Sequence, residues 1–205
     1  MITIVDYGTG NLRSIANMLR HIGVDCVIAG DPGAIARAGK LILPGVGKYD
    51  FGMAALNERG LREVLNRRVL EDGVPVLGIC LGAQLLTRGS EEGSLPGLGW
   101  IAADTRRFDP AATTQKGLRV PHMGWTDTAF RPESRLAQEL EDPRFYYVHS
   151  YKIVADRAED ELAHADHGGR FAAGVERGNV LGVQFHPEKS HAFGMKLLEN
   201  FARAY

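Results

Sequence analysis

A cysteine at position 80 stands between two glycines, Gly78 and Gly82, at the end of an apolar stretch. In this Gly-x-Cys-x-Gly frame the small neighbours permit the strained turn from a strand into a helix that presents a nucleophile. Such a turn leaves backbone N–H groups free to bind an oxyanion, and the helix dipole stabilises a thiolate at the helix N-terminus. The spacing indicates a cysteine nucleophile. Cys26, the other cysteine, lacks this frame and is expected to be a small buried hydrophobe.

A histidine and a carboxylate, His186 and Glu188, are separated by one proline near the end of the chain. In extended backbone, residues two apart point to the same side. Pro187 excludes helix continuation and favours extended geometry at His186. The carboxylate can therefore orient the imidazole, as a general base requires. Together with Cys80, these residues predict a catalytic Cys-His-Glu triad.

Two further glycines, Gly45 and Gly47, follow the apolar run Leu41–Pro44. Glycines around Val46 suggest a backbone that approaches a ligand closely or flips to supply an N–H donor. An ordinary turn explains them equally well. Gly8-Thr-Gly10 resembles a dinucleotide loop only superficially, because the third glycine is missing and position 13 is arginine.

The 7 histidines do not cluster with thiols or carboxylates at the spacing of zinc sites. His164 and His167 lie in an acidic, glycine-bounded stretch that is polar enough to be a surface loop. We therefore expect no metal ion and no cofactor.

The elements that must position these residues alternate along the first half of the chain. Short apolar runs that end in glycine predict buried parallel strands, and segments with helical periodicity lie between them. Strand–helix–strand alternation predicts an α/β fold with a mostly parallel, doubly wound central sheet flanked by helices. The runs are Ile2–Tyr7, Leu41–Pro44 and Val76–Cys80, and the helical segments are Leu12–Leu19 and Leu61–Leu70.

The second half predicts added antiparallel strands that extend or flank this sheet, because β-type runs follow one another with few helical segments between them. A final helix over Ser190–Tyr205, with Ser190 as its N-cap, carries apolar residues on one face. Ala155–Asp160 and Ala163–Gly169 are expected to be surface loops. The β-type runs are Trp100–Phe108, Phe145–Val148, Phe171–Val175 and Val180–Phe185.

Length and composition restrict the class of protein. The 205 residues, 44% of them hydrophobic, are expected to form a single domain over residues 1–205. A net charge of −1 argues against nucleic-acid binding driven by phosphate neutralisation. The longest apolar run, Val74–Ala83, is too short to cross a membrane, and an N-terminus without basic residues is not a signal peptide. We expect a soluble cytoplasmic protein.

The motifs together resemble class I (triad) glutamine amidotransferases, and within them the glutaminase subunits of imidazole glycerol phosphate synthases. The resemblance extends from Asp6 to the end of the chain. It rests on these segments: Asp6–Ser14, Pro44–Gly47, Gly78–Gln84, Ser90–Glu92, Pro96–Trp100, Val120–Trp125, Tyr147–Tyr151 and Gly182–Ser190.

The resemblance implies hydrolysis of L-glutamine to glutamate and ammonia by Cys80, His186 and Glu188. The ammonia would pass to a separate synthase (cyclase) subunit in a heterodimer, which makes imidazole glycerol phosphate and AICAR in histidine biosynthesis. By the same resemblance the oxyanion hole comprises Leu81, Val46 and Gly47; the substrate contacts are Gly45, Gln84, Glu92, His149, Ser150 and Tyr151; and the partner interface includes Asn11, His122, Met123, Gly124, Trp125, Tyr146 and Lys189.

Two departures from the family pattern leave the partner open. Thr126 stands where the family usually carries Asn, and Lys48-Tyr49 replaces a small residue and Phe. Both positions are expected on the partner side. One alternative is a paralogous glutaminase subunit that supplies ammonia to a sugar-amidinating enzyme of surface polysaccharide synthesis. A second alternative is a triad cysteine hydrolase that acts alone. A third is a non-catalytic binding scaffold, and the intact triad argues against this last one.

Overall fold

A ten-stranded mixed sheet with helices on both faces forms the molecule, a computed structural model that describes residues 1–205 apart from the side chain of Ala112. The strands are β1 (Ile2–Val5), β2 (Cys26–Ala29), β3 (Lys40–Gly45), β4 (Val76–Cys80), β5 (Ala103–Arg107), β6 (His122–Asp127), β7 (Ala129–Phe130), β8 (Arg144–His149), β9 (Tyr151–Ala155), β10 (Glu161–Asp166), β11 (Arg170–Arg177) and β12 (Val180–Val183). The α-helices are α1 (Leu12–His21), α2 (Pro32–Ala36), α3 (Tyr49–Glu58), α4 (Leu61–Asn66), α5 (Leu81–Leu85), α6 (Pro110–Gln115) and α7 (His191–Ala204).

The first half of the sheet is parallel, in the order β2-β1-β3-β4-β12. Its central strands β3, β4 and β12 consist almost entirely of buried residues, as expected for strands covered on both faces. Because these three strands are parallel neighbours, their carboxyl ends lie at one edge of the sheet, where ligands bind in open α/β sheets. The expectation of a mostly parallel, doubly wound sheet flanked by helices is confirmed.

The second half is antiparallel: β12 pairs with β11, β11 with β10 and β9, β10 with β7, and β9 with β5. Strands β6 and β8 form a separate two-stranded ribbon in which His122 lies directly opposite His149. The added antiparallel strands are therefore confirmed.

The core lies on both faces of the sheet. On one face, side chains of α3, α4 and α5 pack with those of β3, and on the other, α1 and α7 pack with aromatic residues of the β6–β8 ribbon and the antiparallel strands. Among the described residues, no helix is long and apolar enough to cross a bilayer.

Three local expectations differ from the structure. Ala163–Gly169 is not a loop throughout, because Ala163 to Asp166 belong to β10; small alanines with two register shifts gave no clear apolar alternation. Leu70 is exposed, because α4 continues as a turn of π-helix over Arg67–Glu71 that buries Val69 instead. Ser190 takes the N-cap position of α7, but its hydroxyl donates to the carbonyl of His186.

Candidate active site

Cys80 ends β4 and immediately precedes α5, in a backbone conformation of φ 53° and ψ −112°. A positive φ is strained for a residue with a β-carbon, and such strain persists only where the surroundings impose it. The side chain is 7% exposed. The turn therefore has the strand-to-helix geometry expected of a nucleophile elbow.

Close packing around this turn explains the glycine frame. A β-carbon at Gly82 would lie 1.8 Å from the carbonyl oxygen of Leu43, and one at Gly78 would lie 2.8 Å from the backbone of Ala83. One at Gly45 would lie 2.5 Å from the hydroxyl of Tyr7. Three glycines thus allow β3, β4 and α5 to approach one another. Gly45 lies in this packed region and is not among the residues that line the cavity described below.

His186 and Glu188 lie just beyond β12, the strand next to β4. The imidazole Nδ1 is 2.7 Å from Glu188 Oε1, and the two side chains are 1% and 2% exposed. The backbone is extended at His186 but forms a short 3-10 turn from Pro187 to Lys189. His186 and Glu188 therefore pair as expected, but across a turn and not along an extended strand. Asn11 Nδ2 donates to the same carboxylate oxygen at 2.7 Å.

The protonation of this pair follows from its neighbours. Burial alone would lower the pKa of His186, but the neighbouring Cys80 and Glu188 outweigh it and raise the pKa to about 9. Burial would likewise raise the pKa of Glu188, yet His186 and Asn11 hold it below its usual value. The arrangement therefore favours an imidazolium between the Glu188 carboxylate and the Cys80 sulfur.

A cavity of about 290 Å³ opens beside Cys80. It brings together most of the expected site residues, although Pro121 and Val148 also line it and were not expected. Its lining residues are Val46, Gly47, Cys80, Leu81, Gln84, Glu92, Pro121, Val148, His149, Ser150, Tyr151 and His186.

The loop that was expected to contribute oxyanion donors is held by Thr9. The Thr9 hydroxyl accepts from the N–H of Val46 at 3.2 Å and also donates to the carbonyl of the same residue. The Val46 N–H is therefore occupied in this structure. Leu81 is the first residue of α5, a position whose N–H has no intrahelical acceptor.

The carboxamides of Gln84 and Gln184 form a short network next to Cys80. Gln84 Nε2 donates to Gln184 Oε1 at 3.0 Å and to the carbonyl of Tyr151 at 3.2 Å. Gln184 Nε2 lies 3.8 Å from Cys80 Sγ. Gln184 was not among the residues expected at the site, although it stands two residues before His186 and the same alternation that paired His186 with Glu188 would have placed it on that side.

His149 lines the cavity but has both ring nitrogens engaged. Its Nδ1 lies 2.7 Å from the carbonyl oxygen of Tyr151, and its Nε2 lies 3.0 Å from Nδ1 of His122. His122 Nε2 in turn lies 2.8 Å from the Thr126 hydroxyl. Since a carbonyl only accepts, the chain runs from Thr126 through His122 and His149 to Tyr151, with each neutral ring protonated at Nδ1. His149 therefore supports the cavity wall instead of offering a free nitrogen to a substrate.

The expected partner-interface residues divide into two groups. Met123 and Trp125 are 62% and 41% exposed, Trp125 lies edge-on to Tyr146, and Lys189 lies over the Tyr146 ring. These four residues share one surface. His122, however, is 4% exposed and faces inward, since alternate residues of β6 point to opposite faces.

The two remaining residues of the expected interface are Asn11 and Gly124. The side chain of Asn11 donates to Glu188, as described above. Gly124 occupies a backbone position with φ 134° between the two exposed residues. Of the departures from the family pattern, Thr126 points inward to His122, and Tyr49 is fully buried while its N–H donates to Glu92; only Lys48 is exposed.

A larger cavity of about 870 Å³ lies beside β7 and β10. It contains neither Cys80 nor His186, and its lining mixes charged residues with apolar ones such as Phe130 and Leu140. The smaller cavity is the candidate active site, because the predicted nucleophile Cys80 and the predicted base His186 both line it and Glu188 contacts that imidazole.

A family model for class I glutamine amidotransferases matches residues 3–204. The chain belongs to this family. Among curated relatives it is 48% identical, over 99% of each chain, to imidazole glycerol phosphate synthase subunit HisH 2 of Methanococcus maripaludis. It is also 48% identical to subunit HisH of Bdellovibrio bacteriovorus, over 98% of this chain and 99% of that one.

Solved structures support the same fold. The structure of PurLQS from Thermotoga maritima matches with a TM-score of 0.74 and 21% identity, covering 99% of this chain and 97% of that chain. At this identity the likeness concerns the fold alone.

Proposed function

We propose that this chain is the glutaminase subunit of an imidazole glycerol phosphate synthase, which works in the cytoplasm. It hydrolyses L-glutamine to glutamate and ammonia, and the ammonia passes to a synthase (cyclase) partner that makes imidazole glycerol phosphate and AICAR in histidine biosynthesis. One observation carries the proposal: Cys80, on a strained elbow, faces a cavity shared with an imidazole that Glu188 holds at 2.7 Å. Relatives that are 48% identical over the full chain support the pathway.

Each step of the proposed reaction is assigned to a residue at the cavity. His186 holds the proton of the Cys80–His186 pair, and the Cys80 sulfur attacks as a thiolate the amide carbon of the glutamine side chain to form a tetrahedral intermediate. The N–H of Leu81, with that of Val46 or Gly47 after the loop rearranges, stabilises the oxyanion. His186 then protonates the departing ammonia and activates water to hydrolyse the γ-glutamyl thioester.

Substrate binding uses other residues that line the same cavity. Glu92 lines it, and its carboxylate accepts from the N–H of Tyr49 at 2.9 Å, which fixes its position. A carboxylate there pairs with the α-amino group of glutamine. Both amide hydrogens of Gln84 are engaged by the protein, which leaves its carbonyl oxygen to accept from the substrate.

Cys80→Ala tests the chemistry. The variant is expected to release no ammonia from glutamine while its far-ultraviolet circular dichroism and partner binding remain those of the parent. Cys26→Ala is the matched control, because Cys26 lies on β2 and outside the candidate cavity. Undiminished ammonia release by Cys80→Ala would overturn the proposed mechanism.

The partner is tested separately. We expect a purified histidine-pathway cyclase to bind the chain and to raise its rate of glutamine hydrolysis, since the Val46 N–H must leave Thr9 before it can serve as an oxyanion donor. Full turnover by the chain alone, unchanged by the cyclase, would contradict a role as a subunit.

A paralogous subunit that supplies ammonia to a sugar-amidinating enzyme is the second candidate. It is favoured by Lys48, which is exposed beside the cavity loop where the family usually carries a small residue. Stimulation by such a synthase, and none by the cyclase, would support it. A hydrolase that acts alone is disfavoured, because it leaves Glu92 and Gln84 unexplained.

A further inference from the structure

Gln184 is a fully buried carboxamide that the reaction described above does not use. It is 0% exposed and follows β12 directly, two residues before His186. Its Nε2 lies 3.8 Å from Cys80 Sγ, a distance at which an amide N–H donates to sulfur. A buried polar side chain beside the reacting atom needs an explanation, because burial without partners is costly.

The orientation of this carboxamide is fixed by a second one. Gln184 Oε1 accepts from Gln84 Nε2 at 3.0 Å, and the other hydrogen of Gln84 Nε2 is directed to the Tyr151 carbonyl at 3.2 Å. If the Gln184 amide were turned over, two N–H groups would face each other and an oxygen would face the sulfur. The network therefore keeps the N–H of Gln184 directed at Cys80.

The Tyr151 carbonyl is itself held from the other side. His149 Nδ1 donates to it at 2.7 Å, and burial lowers the pKa of His149 to about 3, so this ring stays neutral and keeps its direction. The Tyr151 carbonyl thus accepts from two donors, His149 Nδ1 and Gln84 Nε2. The second of these bonds fixes the orientation of the Gln84 carboxamide.

We propose that Gln184 is a further catalytic residue, which donates a hydrogen bond to the Cys80 sulfur and increases the fraction present as thiolate. The proposal rests on the function proposed above. When Nε2 of His186 holds the proton of the Cys80–His186 pair, the negative charge is on the sulfur, and a fixed N–H donor stabilises that charge without any reorganisation. Gln84 acts as its positioning residue.

The test follows the alkylation of Cys80 by iodoacetamide as a function of pH, in a Cys26→Ser background so that one thiol reacts. Alkylation rate tracks the thiolate fraction and needs neither glutamine nor a partner. We compare the parent with Gln184→Met, which keeps the size and removes the donor, and Gln184→Glu, whose carboxylate cannot donate. Exposed Gln138→Met is the matched control, and thermal melting checks that each variant is folded.

The midpoint of the alkylation profile is expected to rise by about 0.5 to 1 pH unit in Gln184→Met, and at least as far in Gln184→Glu. The plateau rate at high pH should not fall, because a thiolate without its donor is a stronger nucleophile. Gln84→Met should shift the midpoint in the same direction, since Gln184 can then turn over.

An unchanged midpoint in both Gln184 variants would overturn the proposal, and so would a lower plateau at an unchanged midpoint, which indicates only a disturbed cavity. An unchanged midpoint in Gln84→Met alone would overturn the positioning role. Failure of the parent to release ammonia from glutamine in the presence of a synthase partner would instead overturn the proposed function and leave the contact with sulfur standing.

Discussion

Three buried histidines around the candidate site differ in protonation. His186 is favoured as an imidazolium, whereas His149 and His122 are favoured as neutral rings. Neighbouring charge raises the pKa of His186 to about 9, whereas burial, opposed by no carboxylate, lowers the pKa of His149 to about 3 and that of His122 to about 4. Burial disfavours charge at each ring, so the partners decide the outcome. The site thus concentrates its positive charge on His186, the imidazole that we propose transfers protons.

The neutral pair predicts acid sensitivity. Both rings take up a proton near pH 6.5 in the unfolded chain but only near pH 3 to 4 when folded. Their stabilisation is therefore present above about pH 6.5 and is lost as pH falls, by up to about 1.4 kcal/mol per pH unit for each ring.

We expect urea unfolding between about pH 7 and about pH 5 to show a flatter decline for His149→Asn than for the parent. His21→Asn, at an exposed position, should keep the parental slope. Identical slopes for all three proteins would contradict neutral burial of His149.

Sequence spacing was sufficient to predict the three triad residues, but not the residues that contact and orient the parts of the site around them. A cysteine between glycines and a histidine two residues before a carboxylate are local signals, so Cys80, His186 and Glu188 could be predicted. His122 could not be assigned correctly, because its direction depends on pairing with β8, and nothing local to Thr9 indicates that its hydroxyl holds Val46.

The elbow depends on the approach of three elements, β3, β4 and α5. Gly82 is the tightest point, since an added β-carbon would lie 1.8 Å from the Leu43 carbonyl oxygen. The strand and the helix would have to separate to admit a methyl group.

Gly82→Ala is therefore expected to lower the free energy of unfolding by about 3 kcal/mol, measured by urea titration. Gly89→Ala is the matched control, because nothing lies within 4 Å of its added β-carbon and its φ is not positive. Equal stability of the two variants would show that this approach is not required.

The cavity loop after β3 gives a prediction of its own. The hydroxyl of Thr9 occupies the N–H of Val46, so Thr9→Val, which keeps the shape and removes the hydroxyl, should release it. We expect the chain without a partner to hydrolyse glutamine about fivefold faster, while Thr9→Ser behaves as the parent. Rates are measured as glutamate formation, and an unchanged or lower rate in Thr9→Val would contradict a restraining role for Thr9.

Element prediction failed where tertiary contacts, rather than hydrophobic periodicity, define the element. Strand β10 has alanines as its inward residues and two register shifts, so its polar sequence resembled a loop. The π-helical turn after α4 likewise breaks the periodicity that placed Leu70 inward.

At the scale of the whole molecule, sheet topology assembles the site. Gly45 ends β3, Cys80 ends β4 and His186 follows β12, and these strands are adjacent and parallel. The sequence placed each of these residues after a strand. Only the structure reveals that β12 lies beside β4, which brings together residues more than a hundred positions apart.

The central claim is that Cys80 forms a covalent γ-glutamyl intermediate. The direct measurement is mass spectrometry of peptides from an acid-quenched reaction of glutamine with the chain and its synthase partner. A glutamyl adduct on the peptide that contains Cys80, absent in Cys80→Ala, is the predicted result. Ammonia release without any adduct on Cys80, or with the adduct on Cys26, would contradict it.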